Sequence, residues 1–416
     1  METKTTEELS DDFGWFEEGF QAALEGIRAA GLYRSFPSVE AVEGGRIRIG
    51  GRWLVHLSSN SALGLHLHPA VRAAAREAVD RFGAGAGAAR LLGGHLPLHE
   101  ALEEKLARFK QTEAALTFST GYMANLGVIA GLLEAGDCVI VDHLNHASLI
   151  DACRLSGATL RAYPHKEMHG LERALAQRPG RFRRRWIVTE GIFSMDGDPA
   201  PLPDILDLAQ RYEAGVILDD AHGTGVMGPT GRGTLEHFGL AGPGKTPPPF
   251  LLQVGTLSKS LGSMGGFVAG SRVMMDTLRN KSRPFIYTTA LPPASAAAAL
   301  AALEVIEREP ALRRALWEKI HAWEGVLTGL GVTVSPAESH IVPFQAPYQG
   351  EAAGSTGAAM GLSAALFNRG IFAPGIRPPT VPEGTARIRT AVNAAHDPAD
   401  LKRAADALAD ALKEKP

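Results

Sequence analysis

Cysteine is nearly absent from this chain. Its 416 residues hold two, Cys138 and Cys153, too few for a disulfide framework, and both stand in apolar runs that predict buried free thiols in a reducing compartment. An excess of either charge is absent as well. Lys and Arg number 42 against 45 Asp and Glu, a formal charge of −3, which removes the electrostatic footprint of a nucleic-acid partner. The one basic cluster, RFRRRW at 181–186, reads as a solvated loop ahead of a strand. No apolar run approaches bilayer length; the longest alanine-rich one is ASAAAALAAL at 294–303. The N-terminal METKTTEELSDDFGWFEE is acidic and lacks the apolar core of a signal peptide. A cytoplasmic protein with no membrane partner is expected.

Several catalytic signatures are missing too. Neither a GxSxG elbow nor a P-loop occurs, so serine hydrolysis and nucleotide phosphoryl transfer have no support. GAGAGA at 83–88 and GTGVMG at 223–228 resemble a dinucleotide fingerprint. That fingerprint needs a strand before it and a helix after it. The first follows a helical run and the second precedes PTGRG, so both fail. His95 with His99, and His165 with His169, stand at helical spacing, but HExxH is absent and surface or capping roles are expected, with no metal.

What is present is ordinary globular composition, 45% hydrophobic and 21% charged, in a chain long enough for two or three domains. An amphipathic segment at about 12–32 leads into RIRI and RWLVHL, both strand-like. From about 70 to 290 short apolar runs (AALTF, CVIVD, TLRAY, RWIVTE, GVILDD, FLLQV, GGFVAG) alternate with helical periodicity. Such alternation predicts an α/β fold, a mostly parallel sheet with helices on both faces. After Pro292-Pro293, helices at 294–308 and 311–329, strands near 340–344 and 386–392 and a helix at 398–413 predict a smaller α+β unit. The expected division is an N-terminal segment at 1–60, a large domain at 61–290 and a C-terminal domain at 291–416.

In open parallel sheets ligands bind beyond the carboxyl ends of the strands. Those ends read STGYMAN, DHLNHAS, EGIFSMDGD, DDAHGTG and GTLSKS. Gly121 and Tyr122 open a helix whose free N–H groups favour a phosphate, and Thr256 with Ser258 adds hydroxyls. Asp219 closes an apolar strand, where a carboxylate is costly unless it faces a cation such as a protonated pyridine nitrogen. His222 can hydrogen-bond a phenolic oxygen, His146 can stack on a flat ring, and Lys259, among glycines and hydroxyls, can react with an aldehyde. Together these describe a site for pyridoxal phosphate.

The stretches VDHLNHAS, TEGIFSMDGDPAPL, LDDAHGTGVMGPTGRG and TLSKSLGSMGG also resemble the α-oxoamine synthases, a family of fold-type I pyridoxal-phosphate enzymes, over about residues 20–410. The resemblance implies a fold-type I transferase working as a homodimer with shared active sites. It implies that Lys259 is the Schiff-base lysine, Asp219 the pyridine partner, His222 the phenolate partner, His146 the stacked ring and Ser194 a contact near the phenolic oxygen. Thr256, Gly121 and Tyr122 match the phosphate cup, and Thr288 or Thr289 would reach the phosphate of the other subunit. Asn60 and Arg389 match the pair that grips the amino-acid carboxylate, and Arg377 lies near the substrate. Arg34 could meet an acyl carboxylate, or serve a structural ion pair.

The stretch IRPPTVPEGTARIR looks most like the members that join L-alanine to a pimeloyl thioester, on CoA or a carrier protein, in biotin biosynthesis. Glycine with acetyl-CoA, serine with a long acyl-CoA, transamination, or a non-catalytic subunit of a heteromeric synthase remain as rivals; the last would be expected to lack Lys259. Two departures fall on the expected substrate side. Asn60-Ser61-Ala62-Leu63-Gly64 replaces the usual Asn-Asp-Tyr-Leu-Gly, and Ala88-Ala89-Arg90 replaces Gly-Ser-Arg.

Overall fold

The structure is a computed structural model that describes residues 14–177, 180–347 and 354–413. After an amphipathic helix at Gly14–Ala29 come three short strands, β1 (Ala41–Glu43), β2 (Arg46–Ile49) and β3 (Arg52–His56). Gly50 and Gly51, at φ 56° and 74°, form the two-residue turn between β2 and β3, where positive φ at both positions matches the twist of the hairpin.

Seven strands build the central sheet: β4 (Ala114–Phe118), β5 (Cys138–Asp142), β6 (Thr159–Tyr163), β7 (Arg185–Glu190), β8 (Ala214–Asp219), β9 (Leu251–Thr256) and β10 (Gly266–Gly270). Their order is β4-β10-β9-β8-β7-β5-β6. Neighbours run parallel except at β10, which is antiparallel to both β4 and β9. All seven apolar runs of the sequence are therefore strands of one sheet. They read as continuous apolar runs because both faces are covered.

Alternation sends their side chains to different cores. Leu116, Val139, Val141, Val188, Ile217 and Val254 pack with helices Gly121–Leu132 and Ala147–Ser156. Cys138, Ile140, Ile187, Val216 and Leu218 pack with helices Met168–Ala176 and Leu202–Arg211 on the other side. Cys153 lies in the first of these cores and Cys138 in the second, so both are buried free thiols; burial pushes the Cys153 thiol up to about 12.

The C-terminal segment adds helices Pro293–Arg308 and Pro310–Gly329, then β11 (Ile341–Phe344), helix Gly354–Asn368, β12 (Ile371–Phe372), β13 (Gly375–Ile376), β14 (Arg387–Ala391) and helix Pro398–Lys413. β12 extends the first small sheet alongside β3, and β11-β14-β13 form a third. Trp323, 2% exposed, donates its indole N–H to Thr390 Oγ1 at 3.0 Å, which fixes β14 against the helix behind it. A third core joins Val55, Leu102, Leu303, Trp323, Ile388 and Leu408. The helix at 354–368 had no counterpart in the sequence reading, because GSTGAAMGLSAALFN has no charged face to mark a period.

Candidate active site

The carboxyl ends of β4, β9, β8, β7 and β5 lie along one edge of the sheet, and the five chemistry-bearing segments follow them there. Thr120 caps the helix after β4, its hydroxyl accepting from Met123 N–H at 3.0 Å. The N–H groups of Gly121 and Tyr122 open that helix and have no intrahelical acceptor. A Cβ at Gly121 would stand 3.1 Å from Thr256 Cβ, so the helix start sits directly on the end of β9. Thr256 Oγ1 donates to Gly265 O at 2.9 Å and lies 2.7 Å from Ser258 Oγ. This pocket of amides and hydroxyls is built to receive an anion.

Lys259 and His222 meet across the pocket floor, with Nζ 2.8 Å from Nε2. Burial lowers the Lys259 amine, opposed by Asp219 and Glu190. Burial and the Lys259 charge hold His222 well below the usual histidine range. Asp219, 8% exposed, accepts from Ala221 N–H at 3.1 Å and from Asn125 Nδ2 at 2.8 Å. No side-chain cation of the described residues pairs with it. His146 caps the helix after β5, and its Nδ1 lies 2.7 Å from Ser148 Oγ. Tyr122 stands edge-on to it at 6.5 Å and donates its hydroxyl to Asp151.

The substrate side is built from β14. Arg389, 6% exposed, donates Nε to Ser194 O at 2.7 Å and NH2 to Asn60 Oδ1 at 3.1 Å. Burial brings its guanidinium down to about 10. No carboxylate of the described residues pairs with it. Thr288 and Thr289 stand at the rim, where the Ser119 hydroxyl donates to Thr289 O at 3.2 Å. The Arg377 guanidinium meets Met360 Sδ and Tyr33 O, both at 3.1 Å. Arg34 is exposed and follows that Tyr33 in the chain. Ser61 Oγ is spent on His66 at 2.8 Å, and Ala62 is wholly buried in the third core. Ala89 pairs as an isolated bridge with Thr289.

Three polar side chains in the site were not singled out from the sequence. Glu190 ends β7 and accepts His146 N–H at 2.6 Å; burial and Asp219 push its carboxyl up to about 8. Reading the last residue of each strand as well as the loop beyond would have found it. Asn125 sits one turn into a helix, where only geometry reveals its target. His340 stacks on His222 at 5.6 Å, wholly buried, with no partner for either ring nitrogen among the described residues; nothing in its sequence neighbourhood marks it.

Among the histidines at helical spacing, His99 and His165 have structural partners. His99 Nδ1 accepts from Leu96 N–H and caps its helix, whereas the half-buried His165 bridges Asp142 and Asp198 at 3.1 and 3.0 Å. No cluster able to hold a metal occurs among the described residues, and no helix there is long and apolar enough to cross a membrane. Arg183 of the basic run pairs with Glu134 and Asp137.

Comparison with known proteins identifies relatives of the whole chain. The family model for aminotransferase class I and II matches residues 53–408. An 8-amino-7-oxononanoate synthase of Symbiobacterium thermophilum is 45% identical over 94% of this chain and 96% of its own. That of Bacillus subtilis is 42% identical over 95% and 98%. Among solved structures, a lysine-to-alanine variant of serine palmitoyltransferase from S. paucimobilis, with PLP and myriocin bound as an aldimine, superposes with a TM-score of 0.85. It is 32% identical and covers 97% of this chain and 98% of its own.

Proposed function

The chain belongs to the class I and II aminotransferase family and is a pyridoxal-phosphate-dependent acyltransferase of the α-oxoamine synthase kind; we propose that it condenses L-alanine with a pimeloyl thioester, on CoA or a carrier protein. The products are 8-amino-7-oxononanoate, the carrier thiol and CO2, a step of biotin biosynthesis. The observation that carries this reading is Arg389, a buried guanidinium held by Asn60 and Ser194 with no carboxylate of its own among the described residues. Its planar fork is suited to a substrate carboxylate.

The residues present fit the cofactor. Asp219 is a buried carboxylate without a cation, which a protonated ring nitrogen would supply. His222 Nδ1 is buried without a partner among the described residues. When bound, pyridoxal phosphate supplies an aldehyde for amines and an electron-withdrawing ring that stabilises negative charge on the adjoining carbon.

Each protein group then has a task. The cup of Gly121, Tyr122 and Thr256 would hold the phosphate. His146 would lie against the ring, and His222 and Ser194 would bond the phenolic oxygen. Asp219 would keep the ring nitrogen charged. Arg389 and Asn60 orient the amino acid by its carboxylate. Lys259, whose amine burial brings closer to its free form, would be the group that holds the cofactor and the base placed to take a proton from the substrate Cα. The substrate Cα, relieved of its proton, would form a C–C bond to the acyl carbonyl carbon as the C–S bond breaks and the thiol leaves; its carboxylate would then depart as CO2 and a proton would return to the same carbon.

A cytoplasmic homodimer is part of the same reading. Leu91, Leu92 and Tyr287 are 62%, 79% and 71% exposed near the site rim, apolar surface suited to a second copy, with Thr288 or Thr289 completing the neighbouring cup. The similarity to serine palmitoyltransferase structures favours a second reading, serine with a long acyl-CoA. Thiol release from pimeloyl-CoA and from a long-chain acyl-CoA, each with L-alanine, glycine and L-serine in parallel, tests both. Release that requires L-alanine supports the first; release only with L-serine and a long acyl-CoA replaces it with the second.

A further inference from the structure

Helix Gly121–Leu132 presents its N-terminus to the anion cup, and one turn further on it carries Asn125, 3% exposed. The amide nitrogen of Asn125 lies 2.8 Å from Asp219 Oδ2 and 2.9 Å from Ser148 Oγ. A carboxylate only accepts, so the amide is oriented by chemistry, with one hydrogen for each oxygen. Ser148 N–H donates to His146 Nδ1 at 3.2 Å, and Ser148 Oγ lies 2.7 Å from the same nitrogen. His146 Nδ1 is therefore an acceptor, the Ser148 hydroxyl donates to it, and the proton of the neutral ring sits on Nε2. Every donor in this chain points the same way, from Asn125 outward. Asn125 Oδ1, by contrast, is buried without a partner among the described residues.

We propose that Asn125 is a positioning residue for the cofactor site: its two amide hydrogens hold the Asp219 carboxylate and, through Ser148, fix the tautomer and attitude of the His146 ring. The proposal rests on the pyridoxal-phosphate reading. It would make one helix responsible for both ends of the cofactor, with its terminal amides for the phosphate and its first buried polar side chain behind the carboxylate meant for the ring nitrogen. A neutral donor is required at that place. An acceptor or a second charge would oppose Asp219 at hydrogen-bond distance.

The test is titration of apo-protein with pyridoxal phosphate, followed by its absorbance and by protein fluorescence, from neutral to alkaline pH. Asn125→Asp is isosteric but sets two carboxylates in contact, so its Kd is expected to rise by about tenfold or more, with the loss deepening as pH rises and the shared proton leaves. Asn125→Ala removes the donor without adding charge, and its loss is expected to be smaller, about tenfold at most, and flat with pH. Ser148→Ala cuts only the branch to His146 and is expected to lose less than Asn125→Asp. Circular dichroism reports folding, and Asn125→Ala carries the test if the aspartate variant does not fold. Binding by Asn125→Asp within twofold of wild type at every pH (about 0.4 kcal/mol), or equal losses in both Asn125 variants across the range, overturns the proposal. Wild-type protein that fails to bind pyridoxal phosphate at all overturns the cofactor reading itself.

Discussion

Lys259 Nζ and His222 Nε2 stand 2.8 Å apart at the end of the sheet. Two buried cations would not share that distance, so at most one of the pair is charged. The lowered pKa of each, from burial first and then from its neighbours, leaves His222 neutral and brings the Lys259 amine closer to its reactive free form. Loss of the amine removes both the covalent hold and the base. Lys259→Ala is expected to fold normally and to lose at least about a thousandfold in kcat, read by thiol release, with melting temperature as the control.

Asp219 is retained where it is costly. In apo-protein it is a buried carboxylate whose hydrogen-bond partners among the described residues are Ala221 N–H and Asn125. Asp219→Asn is therefore expected to leave apo-protein at least as thermally stable as wild type, because an uncompensated buried charge has gone. The same variant is expected to bind pyridoxal phosphate more weakly. A fall in apo stability would show that Asp219 is part of the structural frame alone.

Asp220, the next residue, faces the other side and does the opposite work. Lys110 Nζ donates to its Oδ2 at 2.8 Å and to Arg232 O at 2.7 Å, with both charged groups almost wholly buried. Thr234 adds its N–H and hydroxyl. This pair ties the loop after β8 to helix Pro97–Lys110. Lys110→Met leaves Asp220 without its cation and is expected to destabilise the protein by about 3–5 kcal/mol in denaturant unfolding.

His165 supplies a pH dependence away from the site. Burial lowers its pKa, but the hydrogen bonds to Asp142 and Asp198 outweigh this and raise it to about 9. Lys166 also pairs with Asp198. A group raised in the folded state stabilises fully below its unfolded pKa and loses that contribution as pH climbs through the folded one. Stability is expected to fall between about pH 6.5 and 9, by roughly 1–2 kcal/mol after allowance for solvent screening at this partly exposed ring. Unfolding midpoints across that range should flatten in His165→Gln.

Much of this was legible in the residues. The seven apolar runs became the seven strands because both faces of a parallel sheet demand apolar side chains. The rule that ligands gather at carboxyl ends led directly to Lys259, Asp219, His222 and His146. The distant members were harder. Asn60 and Arg389 lie 329 positions apart and meet only through β14. Arg377 is held by Met360 and by the Tyr33 carbonyl, partners that no motif in its neighbourhood announces. The bridging role of His165 was not legible, since its carboxylate partners arrive from β5 and from the loop after β7. Asn125 follows from no pattern of composition or period.

Arg389 separates recognition of the amino acid from the rest of the reaction. Its Nε is committed to Ser194 O and one NH2 to Asn60, which turns the remaining N–H groups toward a ligand. Arg389→Lys keeps a cation but loses the fork, and a lysine cannot hold Ser194, Asn60 and a substrate carboxylate in one plane. The expected loss is about 1.5–3 kcal/mol in kcat/KM for the amino acid, with KM for the acyl thioester little changed and pyridoxal phosphate binding retained. Steady-state kinetics with each substrate varied in turn reads the two apart. An equal rise in both KM values would mean that Arg389 holds the shape of β14 and does not grip the carboxylate.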